Sequence, residues 1–218
     1  ARMMRTAISI VYGKPERMLV SGFYLPKLKR PAPRVERVGI LMRAAVLNAQ
    51  PRKGAHLLAY MRRDCPPEFL EMLARCPQEV RLYGLGEQAP RGNIIFKAID
   101  PQGFIDDLAS CRGLICTAGN QLIGEAMYLS KPVLALPESS NSEQQMNAHL
   151  LRMSGAGMVV DFDSVRDHHL QKFLEDSGTL SRRIDPQSVC ANHRVLGLID
   201  EQLGDRGEEL KGRGIAVG

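Results

Sequence analysis

From Gly54 onward, short apolar runs alternate with stretches whose apolar residues recur at helical spacing. The runs cover 56–60, 80–83, 94–97, 114–117, 133–136 and 158–160, and read as strands. The helical spacing covers 66–76, 101–110, 121–130 and 142–154, with later helices over 164–175 and 186–202. Start signals accompany these segments. Asp64 precedes a double proline, Asp100 precedes Pro101, and Ser142 stands three residues before Gln145 as in a capping box. Only the runs at 80 and 94 lack a helix between them. Near-continuous apolar strands joined by helices imply a parallel sheet covered on both faces. The pattern therefore predicts an α/β fold, a doubly wound, mostly parallel, Rossmann-like sheet.

The chain before this region is patterned differently. Two apolar runs, 7–12 and 18–24, flank Gly13-Lys14-Pro15 and read as strands. Pro26, Pro31 and Pro33 then predict an extended linker, because proline fixes φ and removes a donor. We expect residues 1–38 to be the remnant of a preceding domain plus linker, and 39–204 to be the Rossmann-like domain. The Gly- and charge-rich residues 205–218 are expected to form a flexible tail.

In doubly wound sheets, ligands bind beyond the carboxyl ends of the strands. Arg52 and Lys53 precede a strand and fall on the opposite edge. Arg62, Arg63 and the stretches 84–86, 98–100, 117–120 and 137–141 follow strands and should converge on one rim. There, Thr117-Ala118-Gly119-Asn120-Gln121 makes a strand–glycine–helix turn whose amides suit a phosphate or diphosphate. Such turns occur in every α/β protein. Glu125, between the small residues Gly124 and Ala126, is either an acceptor for sugar hydroxyls or a partner of the helix dipole. Glu143, Gln144 and Gln145 open the next helix and can read sugar hydroxyls or cap the helix. Ile105 can offer backbone groups to a base edge beside Phe104, although Phe and Ile are usually core residues. Asp106 and Asp107 read as dipole compensation.

Composition narrows the class. The 218 residues carry 44% hydrophobic and 24% charged residues, ordinary for a globular chain, which excludes disorder and coiled coil as descriptions of the whole. No apolar run reaches the roughly 18 residues of a membrane span. Five scattered cysteines show no metal-ligand spacing and no disulfide framework, which predicts a reducing, cytoplasmic setting and no metal. The formal charge of +5 invites a nucleic-acid reading. Only 5% of residues are aromatic, Trp is absent and basic residues concentrate at 27–37 and 206–213, so no nucleic-acid partner is expected. The basic proline stretch allows at most weak attraction to an acidic membrane surface. None of His56, His149, His168 and His169 is nominated as a catalytic base, and the catalytic residues stay unassigned.

Taken in order, Phe104-Ile105-Asp106-Asp107-Leu108, Leu114-Ile115-Cys116-Thr117-Ala118-Gly119, Glu125-Ala126, Lys131-Pro132-Val133 with Pro137, and Glu143-Gln144-Gln145-Met146-Asn147-Ala148 resemble one family. This is the carboxyl-terminal, nucleotide-sugar-binding half of the GT-B glycosyltransferases. Among these, the chain is similar to the lipid-linked N-acetylglucosaminyltransferases of peptidoglycan synthesis (family 28) and their uncharacterised relatives. The resemblance implies a UDP-sugar co-substrate, no cofactor, no catalytic metal and an acceptor of unknown identity. It implies the base at the Ile105 backbone, the diphosphate at Thr117, Gly119, Asn120 and Gln121, the ribose at Glu125, and the donor sugar at Gln144 with Glu143 or Gln145. The chain departs from the family at Met61-Arg62-Arg63-Asp64, where a glycine-rich loop is usual, and at Ser130, where glycine is usual. An amino-terminal acceptor half is missing, so a further domain or partner subunit is expected. Two alternatives remain: a non-catalytic nucleotide-sugar-binding subunit, and a UDP-sugar 2-epimerase.

Overall fold

The computed structural model describes residues 17–212 except 29, 32 and 62–64, with side chains described to residue 204. The run at 7–12, the residues Arg62, Arg63 and Asp64, and the end of the tail lie outside the described residues. Eight strands are present among them: β1 (Met18–Ser21), β2 (Val35–Val38), β3 (Leu57–Tyr60), β4 (Val80–Tyr83), β5 (Ile94–Lys97), β6 (Gly113–Cys116), β7 (Val133–Ala135) and β8 (Gly157–Val159). The helices are α1 (Ala44–Asn48), α2 (Pro67–Ala74), α3 (Pro101–Ser110), α4 (Asn120–Tyr128), α5 (Ser142–Ser154), α6 (Asp167–Ser181), α7 (Pro186–Val189) and α8 (Asn192–Gly212).

Six strands form one parallel sheet in the order β5-β4-β3-β6-β7-β8. The chain winds outward from β3 in one direction and, after crossing to β6, in the other. The point where the order reverses therefore lies between β3 and β6. Strand residues alternate between two core clusters, as the period of two dictates. Leu58, Leu114, Cys116, Val133 and Ala135 face the side covered by α1, α3, α4, α5 and α7. Leu57, Ala59, Ile115 and Leu134 face α2 and α6. Each such Leu or Ile, removed from water, contributes about 1.5–3 kcal/mol.

The sequence pattern marks all six strands, each within about a residue of its observed place. Asp100 caps α3 as expected, accepting from the amides of Gln102 and Gly103. Four expectations are corrected. The N-cap of α5 is Asn141, whose side chain accepts from the amide of Gln144, and not a Ser142 capping box. The stretch assigned to the proline linker contains β2. It pairs in parallel with β1 across a connection long enough for a crossover. The helix expected over 186–202 is broken at Cys190, because Val189 and Ala191 exchange backbone hydrogen bonds with Ile40. A Cβ at Gly39 would lie 2.2 Å from the Val189 carbonyl, so only glycine admits this approach. Finally, the backbone of α8 runs through Gly204 to Gly212. Glu208, Glu209, Leu210 and Lys211 are good helix formers and outweigh the interspersed glycines.

Apolar packing seats the segment before the sheet. Phe23 is buried with Ile40 and Met42 in the α4-side core. Val38 packs on Ala191, Val195 and Leu198 at the start of α8. The four residues of β1 stay exposed.

Candidate functional site

Two cavities flank the point between β3 and β6 at the carboxyl edge of the sheet. The first, of about 460 Å³, is walled by Tyr60, Tyr83, Ile99 and Phe104 and floored by Arg43, Gln121 and Glu125. Tyr60 and Tyr83 are the last residues of β3 and β4, so strand termination itself carries their rings to the rim. Both meet Phe104 edge-on, at 5.9 Å and 5.0 Å between centroids. The second, of about 360 Å³, is lined by Met61, Cys65, Thr117, Glu138, Ser139 and Ser140 on the other side of the turn after β6.

That turn is held from beneath. Ala118 adopts a left-handed backbone, φ 61°, and its carbonyl accepts from the buried Asn147 side chain of α5 at 2.9 Å. Gly119, the N-cap residue of α4, is exposed, and the space around its Cα is open. Asp100 and Asn141 satisfy amides at the starts of α3 and α5, but no side chain caps α4. Its first-turn amides remain available to an anion, with the positive end of the helix dipole behind them.

Glu125 is 1% exposed and lies in the second turn of α4. Arg43 grips it with two parallel hydrogen bonds, Nε to Oε1 at 2.8 Å and Nη2 to Oε2 at 2.6 Å. Gln121 Nε2 donates to Oε1 at 3.0 Å. The pair raises the pKa of Arg43, chiefly through the hydrogen bond to Glu125. Three of the roughly four acceptor positions of the carboxylate are thus filled. A second carboxylate, Asp107, lies 7% exposed beneath Tyr83. It accepts from the Tyr83 hydroxyl at 2.6 Å and from Arg81, and His56 Nε2 lies 3.1 Å from its backbone carbonyl. Burial and the anionic acceptor push the Tyr83 hydroxyl pKa up, so it stays a neutral donor. Burial also pushes the thiols of Cys65 to about 11 and Cys116 to about 12, so neither is a thiolate nucleophile near neutral pH.

The residues singled out from the sequence are distributed unevenly. Gln121 and Glu125 meet in the first cavity, Thr117 lines the second, and Gly119 and Asn120 form the exposed turn between them. Asn120 Nδ2 and Gln121 Nε2 also donate to the carbonyls of Ser21 and Leu41, which ties the turn to the preceding segment. Ile105 is fully buried in the core, at the fifth position of α3, where a helical amide already has its partner four residues back. Gln144 and Gln145 stand behind the loop 137–141. Gln144 accepts from the Glu138 amide at 2.7 Å and Gln145 donates to the Glu138 carbonyl at 3.2 Å. Glu143 is exposed. Sequence reasoning missed Tyr60 and Tyr83, which the strand-end rule selects, and Arg43, for which no local pattern exists 82 residues before its partner. Among the described residues, no group of three or more His, Cys, Asp or Glu side chains is placed to hold a metal ion. No helix among them is long and apolar enough to cross a membrane.

A family model described as glycosyl transferase family 1 matches residues 1–177. Solved structures share the fold at low identity. CalG4, the calicheamicin glycosyltransferase, superposes with a TM-score of 0.66 at 17% identity, over 94% of this chain and 60% of that one. The glycotransferase of kitacinnamycin does so with 0.63 at 18%, over 86% and 55%. MurG from Acinetobacter baumannii does so with 0.59 at 14%, over 89% and 69%. The chain thus spans little more than half the length of the first two. No curated protein matches it.

Proposed function

The chain belongs to glycosyl transferase family 1, and from that premise we propose that it is the donor-binding half of a GT-B glycosyltransferase, holding a UDP-sugar at the rim between β3 and β6. The observation that carries this reading is the uncapped start of α4 beside an open glycine, with a buried carboxylate one turn further along. A diphosphate takes the amides of Asn120 to Leu122, and the ribose hydroxyls compete with Arg43 for Glu125. Arg43, released, supplies a cation beside the diphosphate. The aromatic wall of Tyr60, Tyr83 and Phe104 accommodates the base at the α3 side. The donor sugar lies toward Glu138 to Ser140, a loop whose position Gln144 and Gln145 set.

Transfer then proceeds with the UDP leaving group stabilised by backbone donors and arginine, the electrostatic contribution that dominates such reactions. On this reading the acceptor hydroxyl and the general base come from a further domain or a partner subunit; no His lines either rim cavity, and burial keeps the Cys65 thiol protonated near neutral pH. Family membership favours this transfer over epimerisation of the free UDP-sugar. The test is Gln144→Ala. It should weaken binding of a UDP-sugar several-fold while leaving UDP affinity nearly unchanged; an equal loss for both ligands refutes the sugar assignment.

A further inference from the structure

The opposite edge of the sheet carries a second cavity system that the donor reading does not use. Between the starts of β3, β6 and β7 and the end of α6 lies a cavity of about 570 Å³. Lys53, Arg112, Lys131 and Arg182 line it together with Ser130 and Ser181, and no Asp or Glu does. Four of the cations of a chain with net charge +5 therefore share one recess.

Lys131 is the anchor. It is 5% exposed, and among the described residues its ammonium hydrogen-bonds to carbonyls alone. It donates to the carbonyls of Arg52 at 2.5 Å and Cys111 at 3.0 Å. An ammonium has three donors, so one is left for an occupant of the cavity. Burying an uncompensated charge is costly, and here burial lowers the Lys131 pKa; an anion would relieve that cost. Arg112 is fixed in place, donating from Nη2 to the Leu174 carbonyl at 2.8 Å and from Nε to Ser177 Oγ at 3.2 Å. It keeps its remaining guanidinium donors. Arg182 donates from one nitrogen to Thr179 Oγ1 at 3.1 Å. Three of these cations are thus held by neutral partners, and Lys53 stands exposed at the mouth. Carbonyls at the carboxyl ends of helices attract cations, but they leave the net positive charge in place.

The geometry points to a second anion site at this amino edge, taking a phosphate-bearing ligand, either free or as a lipid headgroup. It lies across the sheet from the rim, so it does not depend on what the rim binds.

The test follows backbone amides of the whole chain by NMR while inorganic pyrophosphate is titrated at low salt. Gly54 and Gly178 line the cavity and report this site, whereas Gly119 reports the rim. Saturable shifts at Gly54 and Gly178 are expected, weakened by at least about tenfold in the Lys53→Gln/Arg182→Gln double variant, since charge-assisted contacts are lost. Both substituted residues are exposed, so the variant should fold; an unchanged Gly119 spectrum confirms this. A parallel sedimentation with phosphatidylglycerol vesicles separates the sources. Vesicle binding lost in the double variant, without pyrophosphate shifts, assigns the site to a lipid-borne phosphate. Shifts at Gly119 alone with no vesicle binding overturn the proposal, as does unchanged affinity in the double variant.

Discussion

Each buried carboxylate lies against an arginine: Glu125, at the carboxyl edge of the sheet, against Arg43, and Asp107, beneath α3, against Arg81. At the amino edge the buried charge is a lysine, and its partners are two backbone carbonyls. The difference follows from the architecture. Every helix that crosses this sheet begins at the carboxyl edge, where amides point outward, and ends at the amino edge, where carbonyls do. Carboxylates at the first edge therefore need a dedicated cation if they are not to spend themselves on helix amides. Cations at the second edge find neutral acceptors provided by the fold. The carboxyl edge is thus balanced until a ligand enters, and the amino edge keeps its positive charge.

The largest expected effect tests this contrast directly. Asp107→Ala leaves the buried Tyr83 hydroxyl without its acceptor and Arg81 without one of its carboxylates, and should cost about 3 kcal/mol in urea unfolding. Lys131→Met exchanges two hydrogen bonds to carbonyls for relief from burying an ammonium. It should change stability by at most about 1 kcal/mol. Equal losses at the two sites would remove the distinction between a buried charge with an ionic partner and one held by carbonyls alone.

Next in size is the exchange proposed for Arg43. If this arginine passes from Glu125 to the diphosphate, Arg43→Ala should weaken UDP by about tenfold, the loss of one charge-assisted contact. Arg43→Lys should recover part of it. Tighter binding in the alanine variant would instead make Arg43 a plain competitor for Glu125.

The smallest effect concerns His56, held 7% exposed beneath α3. Burial, and then the charge of Arg81, lower its pKa below the ordinary 6.5. The unfolded chain takes up a proton near pH 6.5 that the folded chain refuses. Stability is therefore complete above that pH and falls as the pH drops from 6.5 toward the lowered value. His56→Gln should flatten this part of the curve of melting temperature against pH; an unaltered slope would assign it to other groups.

Much of this was legible in the sequence, for definite physical reasons. The strands were readable because both sheet faces are buried, which leaves runs such as Gly113–Cys116 with no polar position. The turn from Thr117 to Gln121 and the carboxylate at Glu125 follow from the strand-to-helix handover. Ser130 shows why its family position favours glycine: its φ is 59°, the left-handed conformation that closes α4. What stayed hidden depends on contacts distant in sequence. Arg43 reaches Glu125 from outside the βα repeat, and Asn147 supports Ala118 across 29 positions. β2 was masked by its prolines, which bound the strand rather than prevent it.

On the reading proposed above, the start of α4 and Glu125 together receive a nucleoside diphosphate. Calorimetric titration of the chain with UDP tests it most directly, with Glu125→Ala in parallel. Saturable binding is expected, weakened more than tenfold by the substitution, as follows from about 1.5–3 kcal/mol of lost charge-assisted hydrogen bonding. No heat at millimolar UDP, or equal affinity in the two proteins, would contradict it.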